Sequence, residues 1–266
     1  MTSVLDKIVE TKRRELESQQ AAVAQADLAK AAAAAPPPRD FLAAVTGANE
    51  IALIAEVKKA SPSAGVILET FDPRSIARAY HQAGASAVSV LTDEAYFQGR
   101  LEHVAQVREA CPLPVLRKDF TLDAYHVYQA RAAGADAVLL IAEVLPADRI
   151  VELATLAGEL GMTALIETHD PDLLPSVVAC VRRIAGPVLV GINNRNLAIQ
   201  RTDIGTTLRL APQVKGVAPL VSESGIKTRA DVLAVRQAGV AAILVGESIL
   251  RAPDITAHVR HLLGGE

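Results

Sequence analysis

The chain reads as an α/β protein, a single (β/α)8 TIM barrel preceded by an N-terminal helical extension, and three observations carry that reading. Eight short apolar runs recur along it, each nearly continuous in hydrophobicity, as strands buried on both faces must be. The runs end at 57, 91, 117, 141, 167, 192, 222 and 245, so successive ends lie 23–34 residues apart, the length that a loop, a helix, a return loop and a strand require. Nearly every residue able to do chemistry stands where a run stops. The length of 266 residues, half of them hydrophobic, suits one barrel of roughly 250 residues and does not force two domains.

Taken in order, residues 1–40 form the extension and 41–266 the barrel. A helix is predicted over 1–30, with apolar positions at Val4, Leu5, Ile8, Val9 and Leu16, and Ala31 to Pro38 is expected to be a hinge, because its three prolines cannot continue a helix. The extension should cover one end of the barrel. Strands are predicted at 51–57, 86–91, 113–117, 136–141, 162–167, 187–192, 217–222 and 240–245. Gln82-Ala83-Gly84, Ala132-Ala133-Gly134 and Gln237-Ala238-Gly239 share one logic: a helix ends, glycine takes the left-handed cap, and a buried strand starts within two residues. Asp72-Pro73 and Asp170-Pro171 read as N-cap followed by proline at the first helical position. Alternating strands and helices imply a parallel sheet. With eight units and no GxGxxG after the first run, closure is favoured over an open doubly wound sheet.

Composition excludes several function classes. A net charge of −3 implies no basic surface for nucleic acid, and only 3% aromatics with no tryptophan leave few platforms for stacking bases. The amphipathic start MTSVLDKIVETKRREL has the character of neither a signal peptide nor a transit sequence. No apolar run approaches the 18 or so residues of a membrane span, so a cytoplasmic protein is expected. Cys111 and Cys180 show no metal or redox spacing and read as small buried hydrophobes. His169 alone among the histidines falls at a strand exit, and one histidine makes no metal site.

The C-terminal face of such a barrel holds the site, and its inventory falls into three chemistries. Ser224-Gly225 after strand 7 and Gly246-Glu247-Ser248 after strand 8 offer small residues and free N–H groups for an anion, within reach of Lys58 and Ser61. Lys58, Lys118, Glu56, Glu167 and Glu223 alternate in sign around the rim on strands 1, 3, 5 and 7, which should converge in one interior layer and push their pKa values apart. Asn193 and Arg195 after strand 6 can hold a planar polar group, with arginine bidentate to a carboxylate.

Together Glu56-Val57-Lys58-Lys59-Ala60-Ser61-Pro62-Ser63, Leu116-Arg117-Lys118-Asp119-Phe120, Leu165-Ile166-Glu167, Gly191-Ile192-Asn193-Asn194-Arg195-Asn196-Leu197 and Ser222-Glu223-Ser224-Gly225-Ile226 resemble indole-3-glycerol phosphate synthase over essentially the whole chain. The resemblance implies ring closure of 1-(2-carboxyphenylamino)-1-deoxyribulose 5-phosphate with loss of carbon dioxide and water, in tryptophan biosynthesis, needing no cofactor or metal. It implies Lys118 as general acid, Glu167 as base or charge stabiliser, Glu56 and Lys58 in decarboxylation and dehydration, and Asn193, Arg195 and Glu223 in orienting the substrate. Ser61, Ser224, Gly225, Gly246, Glu247 and Ser248 match the phosphate end, and Phe97 and Phe120 are the nearest aromatics to flank the anthranilate ring. The partner is a small anionic molecule, a sugar phosphate bearing anthranilate; protein partners and oligomeric state are not specified.

Three departures stand out. Asn196 occupies a position where the family often has aspartate, which puts a salt bridge from Arg195 to that side chain in question. Glu247 replaces a commoner small residue, so its carboxylate should point away from the phosphate. The stretch between strands 5 and 6 is a few residues longer than usual, which affects a helix and not the rim. Two other readings share the rim: phosphoribosylanthranilate isomerase, which would want a cysteine base at the first strand exit, and a non-catalytic barrel that only binds a sugar phosphate.

Overall fold

A computed structural model describes residues 3–47, 50–196 and 201–265, with Asn196 and Arg201 described by backbone alone. Eight parallel strands close into a barrel in sequence order: β1 Ala52–Val57, β2 Ala87–Leu91, β3 Val115–Lys118, β4 Ala137–Ile141, β5 Thr163–Thr168, β6 Val188–Asn193, β7 Leu220–Glu223 and β8 Ala242–Val245. β8 returns to β1 with Ala52 opposite Ala242, which seals the ring and leaves no free edge.

All eight predicted runs are strands; the eighth starts two residues later than predicted, and the third and seventh two and three residues later. Proline explains the shift of the third and seventh. Pro114 and Pro219 immediately precede β3 and β7, and Pro187 precedes β6. Each lacks the N–H of a ladder residue, yet each carbonyl accepts a bond from the strand before it in the barrel, from Val88 at 2.9 Å, Val190 at 3.1 Å and Ala164 at 3.0 Å respectively.

Side chains alternate along every strand. Leu53, Val88, Val138, Ile166 and Val190 face outward and pack on helix residues such as Ile76, Val107, Val127 and Leu153. Ile54, Leu116, Leu165 and Val221 face inward, one from each odd-numbered strand, and form an apolar interior layer. Two residues further along the same four strands come Glu56, Lys118, Glu167 and Glu223. The period of two therefore places a ring of charge directly above a layer of hydrocarbon.

The local signals behave as their chemistry requires. Gly84, Gly134 and Gly239 have φ of 94°, 90° and 86°, and Asp72 accepts from the Arg74 N–H ahead of Pro73. Asp170-Pro171 differs. Asp170 instead accepts from Asp172 N–H at 2.9 Å in a turn over 171–173, and the helix starts only at Leu174.

The extension covers one end of the barrel, the C-terminal face, and the helix that follows it covers the other. The extension's own helix breaks at Val23–Ala24, where Val23 is extended, to give α1 (Val4–Ala22) and α2 (Gln25–Ala34). Nothing local in the sequence marks the break; packing imposes it. α1 lies over the C-terminal face, with Ile8 2% exposed beside Phe120 in the interior cluster. α2 turns away and packs on the helix Ala124–Ala132. The predicted hinge is an anchored strap. Helix continues to Ala34, and the carbonyls of Ala35, Pro36 and Pro37 accept from Arg131 and Arg108. Arg39 donates to three carbonyls at the same end, those of Arg108, Cys111 and Leu113. A third helix, α3 (Phe41–Thr46), then buries Phe41 and Val45 against the first residues of β1, β2, β4 and β8.

What fixes α1 is a buried ion cluster. Lys12 Nζ lies 3.0 Å from Asp93 and 3.1 Å from Asp119, at the exits of β2 and β3. Arg117 and Thr92 bond the other Asp119 oxygen at 3.0 and 2.6 Å. Burial alone would lower the Lys12 pKa, but Asp119 and Asp93 outweigh it and hold the ammonium above its ordinary value. Burial likewise opposes the Asp119 charge, and Arg117 and Lys12 overcome it and depress its pKa. Removing one member of such a cluster strands the others. Lys12→Met should therefore lose about 3–5 kcal/mol of stability in urea unfolding. Asp119 contributes stability present above its unfolded pKa near 3.8 and lost as pH falls below it, so the gap between Lys12→Met and the parent should narrow in acid.

Candidate active site

The strand exits and the roof enclose a cavity of about 1080 Å³, its open mouth included. Glu56, Lys58, Ser61, Phe97, Lys118, Phe120, Glu167, Asn193, Arg195, Glu223, Ser224, Gly225, Gly246 and Glu247 all line it. Of the residues singled out from sequence only Ser248 does not, since its hydroxyl is spent on the Ile226 carbonyl at 2.9 Å.

Lys118 is the centre. Its ammonium lies 2.6 Å from Glu167 Oε2 and 3.3 Å from Glu223 Oε2. Burial would lower its pKa, but Glu167, Glu223 and Glu56 together hold it above the usual lysine range, so it is charged at neutral pH. The two carboxyls beside it diverge. Burial works against the Glu167 charge, but Lys118 and the Asn193 amide, 3.0 Å from Oε1, hold its pKa down. Glu223 has neither oxygen in a good hydrogen bond; burial first, and then the neighbouring Glu167 charge, push its pKa well up. Two identical groups around one ammonium thus have their pKa values pushed in opposite directions.

Two glycines make the space for these charges. A Cβ on Gly191 of β6 would collide with Glu223 Oε1, and one on Gly246 would collide with Glu56 Oε1. Glu56 in turn pairs with Lys58, both nearly buried.

On one side of the charged ring Phe97 and Phe120 face each other, ring centroids 6.4 Å apart, with Val4 and Ile8 of α1 above. Tyr96, next to Phe97, donates to the Lys7 carbonyl at 3.2 Å and meets Thr11 Oγ1 at 3.0 Å, so the roof helix and the aromatic wall are one unit. On the opposite side are the loops after β7 and β8. Ser224 and Gly225 both have positive φ, 65° and 83°, and the Ser224 N–H donates to the Leu244 carbonyl of β8 at 3.4 Å, which ties the two loops together. Asn194 locks that turn: its amide donates to Ser222 Oγ and the Ser224 carbonyl, each at 3.0 Å, and its oxygen accepts from Thr207. Gly246 precedes a one-turn helix, Glu247–Leu250, whose first N–H groups have no intrahelical partner.

Arg195 stands at the mouth. Asn193 Oδ1 accepts its backbone N–H at 3.0 Å, and its guanidinium donates to Ser63 Oγ at 2.9 Å and Glu247 Oε2 at 3.2 Å. Glu247 is turned onto Arg195 and Arg251, in the sense expected of a carboxylate in an anion loop. The Asn196 side chain lies outside the described residues.

Sequence reasoning missed Val4, Ile8, Asn194 and Gly191. The amphipathic spacing of α1 carried a signal for the first two. Asn194 was visible in the Asn-rich exit, but which asparagine turns inward depends on the pleat. Gly191 carried no signal, because its role depends on where Glu223 points.

Comparison with known proteins agrees with this geometry. The family model described as indole-3-glycerol phosphate synthase matches residues 5–262. A protein of that name from Rhodopirellula baltica is 48% identical over 261 residues, 98% of this chain and 99% of its own. Another, from a Roseiflexus species, is 47% identical with both chains fully covered. Among solved structures, a 3-hexulose-6-phosphate synthase aligns with TM-score 0.64 at 16% identity, covering 80% of this chain and 99% of its own. A tryptophan synthase α-subunit from Pyrococcus furiosus aligns at 0.59 and 15%, covering 80% and 98%. At such identities these two speak for the barrel alone.

Gly191→Ala should cost about 1–3 kcal/mol in chemical denaturation, the usual penalty of overpacking. Adding Glu223→Ala should recover most of that loss, because the collision is with that side chain; a purely additive double variant would place the clash elsewhere.

Proposed function

The chain belongs to the indole-3-glycerol phosphate synthase family, and from that premise we propose how its rim of charges carries out the reaction. It is a carboxy-lyase of tryptophan biosynthesis: 1-(2-carboxyphenylamino)-1-deoxyribulose 5-phosphate closes to indole-3-glycerol phosphate, releasing carbon dioxide and water. The substrate offers two anionic ends, an aromatic ring and a ketone between them. In our reading the phosphate sits between Ser224-Gly225 and Gly246, the anthranilate ring lies against Phe97 and Phe120, and Arg195 with Asn193 reads its carboxylate. That pose sets the ketone above Lys118.

Lys118 then donates its proton to the carbonyl oxygen as the ring carbon attacks, and Glu167 stabilises the ammonium before transfer and the positive charge that develops on the ring nitrogen. Carbon dioxide leaves from the carbon that has just formed the new bond. The hydroxyl made in the first step departs as water with a proton from an acid of the rim, and the adjacent ring carbon gives up a proton to a base as the double bond forms; the Glu56–Lys58 pair is the candidate for these two transfers. Holding two carbons together in one orientation supplies a large part of the rate, and the rigid barrel layer beneath these groups spares reorganisation during the step. The observation that carries the reading is Lys118: a buried ammonium, 2.6 Å from one carboxylate, facing a cavity with an aromatic wall on one side and the glycine-bearing loops after β7 and β8 on the other.

An isomerase-like reading gains nothing from the site, because the first exit bears Glu56 and Lys58 while Cys111 and Cys180 are buried at outer helices. We place the enzyme in the cytoplasm. Two free buried thiols support this, and among the described residues no helix is long and apolar enough to cross a membrane.

Lys118→Ala should reduce kcat by about 10²–10⁴-fold or more with the fold retained. Near-normal indole formation in that variant would remove Lys118 from the chemistry. Soaked sulfate should occupy the space between the loops after β7 and β8, and an ion at the opposite, N-terminal face would relocate the site. Arg195→Lys keeps the charge but loses the fork. Substrate affinity should fall well below that of the parent, and product affinity much less, since the product has no carboxylate.

A further inference from the structure

We propose that Glu247 is a resident occupant of the Arg195 carboxylate site, displaced by the substrate's carboxylate on binding and restored when that group leaves as carbon dioxide. The proposal rests on the reading that Arg195 recognises the anthranilate carboxylate.

The empty site is already filled in the electrostatic sense. One arm of the Arg195 fork donates to Glu247 Oε2 at 3.2 Å and the other to Ser63 Oγ at 2.9 Å. A substrate carboxylate that approaches this end of the fork competes with Glu247 and Ser63 for the same two nitrogens. The exchange is built to be reversible. The two side chains are 23% and 35% exposed, which keeps the pair weak, unlike the buried Lys118–Glu167 pair below it. Glu247 also has a second cation: Arg251 Nε lies 3.3 Å from Oε1, so the carboxylate is not stranded when Arg195 turns to the ligand. Burial disfavours the Glu247 charge, but Arg195, Arg251 and Lys58 together outweigh it and hold its pKa down, so it is an ion whenever the enzyme is near neutral pH.

The position of Glu247 gives the exchange a direction. It opens the short helix of the phosphate loop, so a bare carboxylate there would repel the phosphate of substrate and product alike. Two arginines cancel that repulsion. While substrate holds Arg195, Arg251 and the nearby Lys58 charge remain to do so. Once decarboxylation removes the competing group, Glu247 recovers Arg195 and the product has no carboxylate with which to resist. Glu247 thus weakens substrate binding and leaves product binding nearly untouched, which favours turnover over retention.

The test uses Glu247→Gln and Glu247→Ser in the full-length enzyme, with two ligands titrated by calorimetry. One is the substrate with its ketone reduced to an alcohol, which keeps carboxylate and phosphate but cannot close; the other is indole-3-glycerol phosphate. Both variants should bind the reduced substrate about 2–5-fold tighter than the parent does, in keeping with a partly exposed pair, with product affinity changed much less. In an Arg195→Gln background the gain from Glu247→Gln should vanish. Equal tightening for both ligands would overturn the proposal, since it would mean that Glu247 acts only by repelling phosphate. Unchanged or weaker binding of the reduced substrate would overturn it too. If Arg195→Gln alone weakens both ligands equally, the reading of Arg195 fails. If it weakens the reduced substrate selectively and Glu247→Gln brings no gain, only the occupancy of Glu247 fails.

Discussion

The rest of the structure is arranged around one unfavourable fact: a lysine ammonium sits inside a barrel with carboxyl groups on either side of it. Lys118 is tolerable there because Glu167 stands 2.6 Å away and Glu223 3.3 Å away, and the trio in turn needs a dry, rigid floor. Ile54, Leu116, Leu165 and Val221 supply that floor from the same four odd-numbered strands. One excess carboxyl remains, that of Glu223, whose pKa is pushed up by burial first and then by the Glu167 charge. Gly191 and Gly246 are the geometric side of the same solution, since the volume a methyl group would fill holds a carboxylate oxygen instead.

The extension belongs to this arrangement. Without a roof the charged layer would open to water, and every interaction within it would weaken as the local dielectric rose. α1 closes the mouth with Val4 and Ile8, but apolar contact alone would let it slide. Lys12 fixes its register by reaching Asp93 and Asp119 at two strand exits, and Asp119 is the residue after Lys118. The position of the roof is thereby referred to the strand that carries the acid. The same chain then runs down the outside of the barrel, is strapped by Arg39, Arg108 and Arg131, and plugs the far end with Phe41 and Val45.

Much of this was legible in the sequence because barrel geometry is periodic. Eight continuous apolar runs at even spacing imply the sheet, and a period of two then sorts each exit into inward and outward residues, which is why Glu56, Lys58, Lys118, Glu167 and Glu223 were read as one layer; four of them form it, and Lys58 stands past the end of β1, paired with Glu56. The illegible parts are those that depend on a distant partner. Nothing between Gln19 and Gln25 breaks a helix by propensity; the break at Val23–Ala24 exists because α1 and α2 pack on different surfaces. Lys12 looked like one more charge on an amphipathic helix until the fold set two aspartates beneath it. The late start of β3 and β7 was readable in principle, since Pro114 and Pro219 cannot donate to a ladder. The start of the helix at Leu174 was not, because Asp170-Pro171 has the chemistry of a cap and the fold uses it for a turn.

Burial divides the charges of the site by task. Lys118, Glu167 and Glu223 are nearly removed from water and cross-braced, so their geometry exists before substrate arrives, which is what a group that acts only in the transition state requires. Arg195, Glu247 and Arg251 lie at the mouth, partly solvated and multiply partnered, where a charge can change partners at little expense. Ser63 and Ala64 of the loop after β1 bond the same two arginines, so this exchangeable ring also ties that loop across the entrance. An anionic substrate therefore first meets charges that can move and then charges that cannot. The order follows from dielectric depth alone: an ion pair that must open and close on every turnover has to stay near water, and an acid that must hold its proton until the bond forms has to stay away from it.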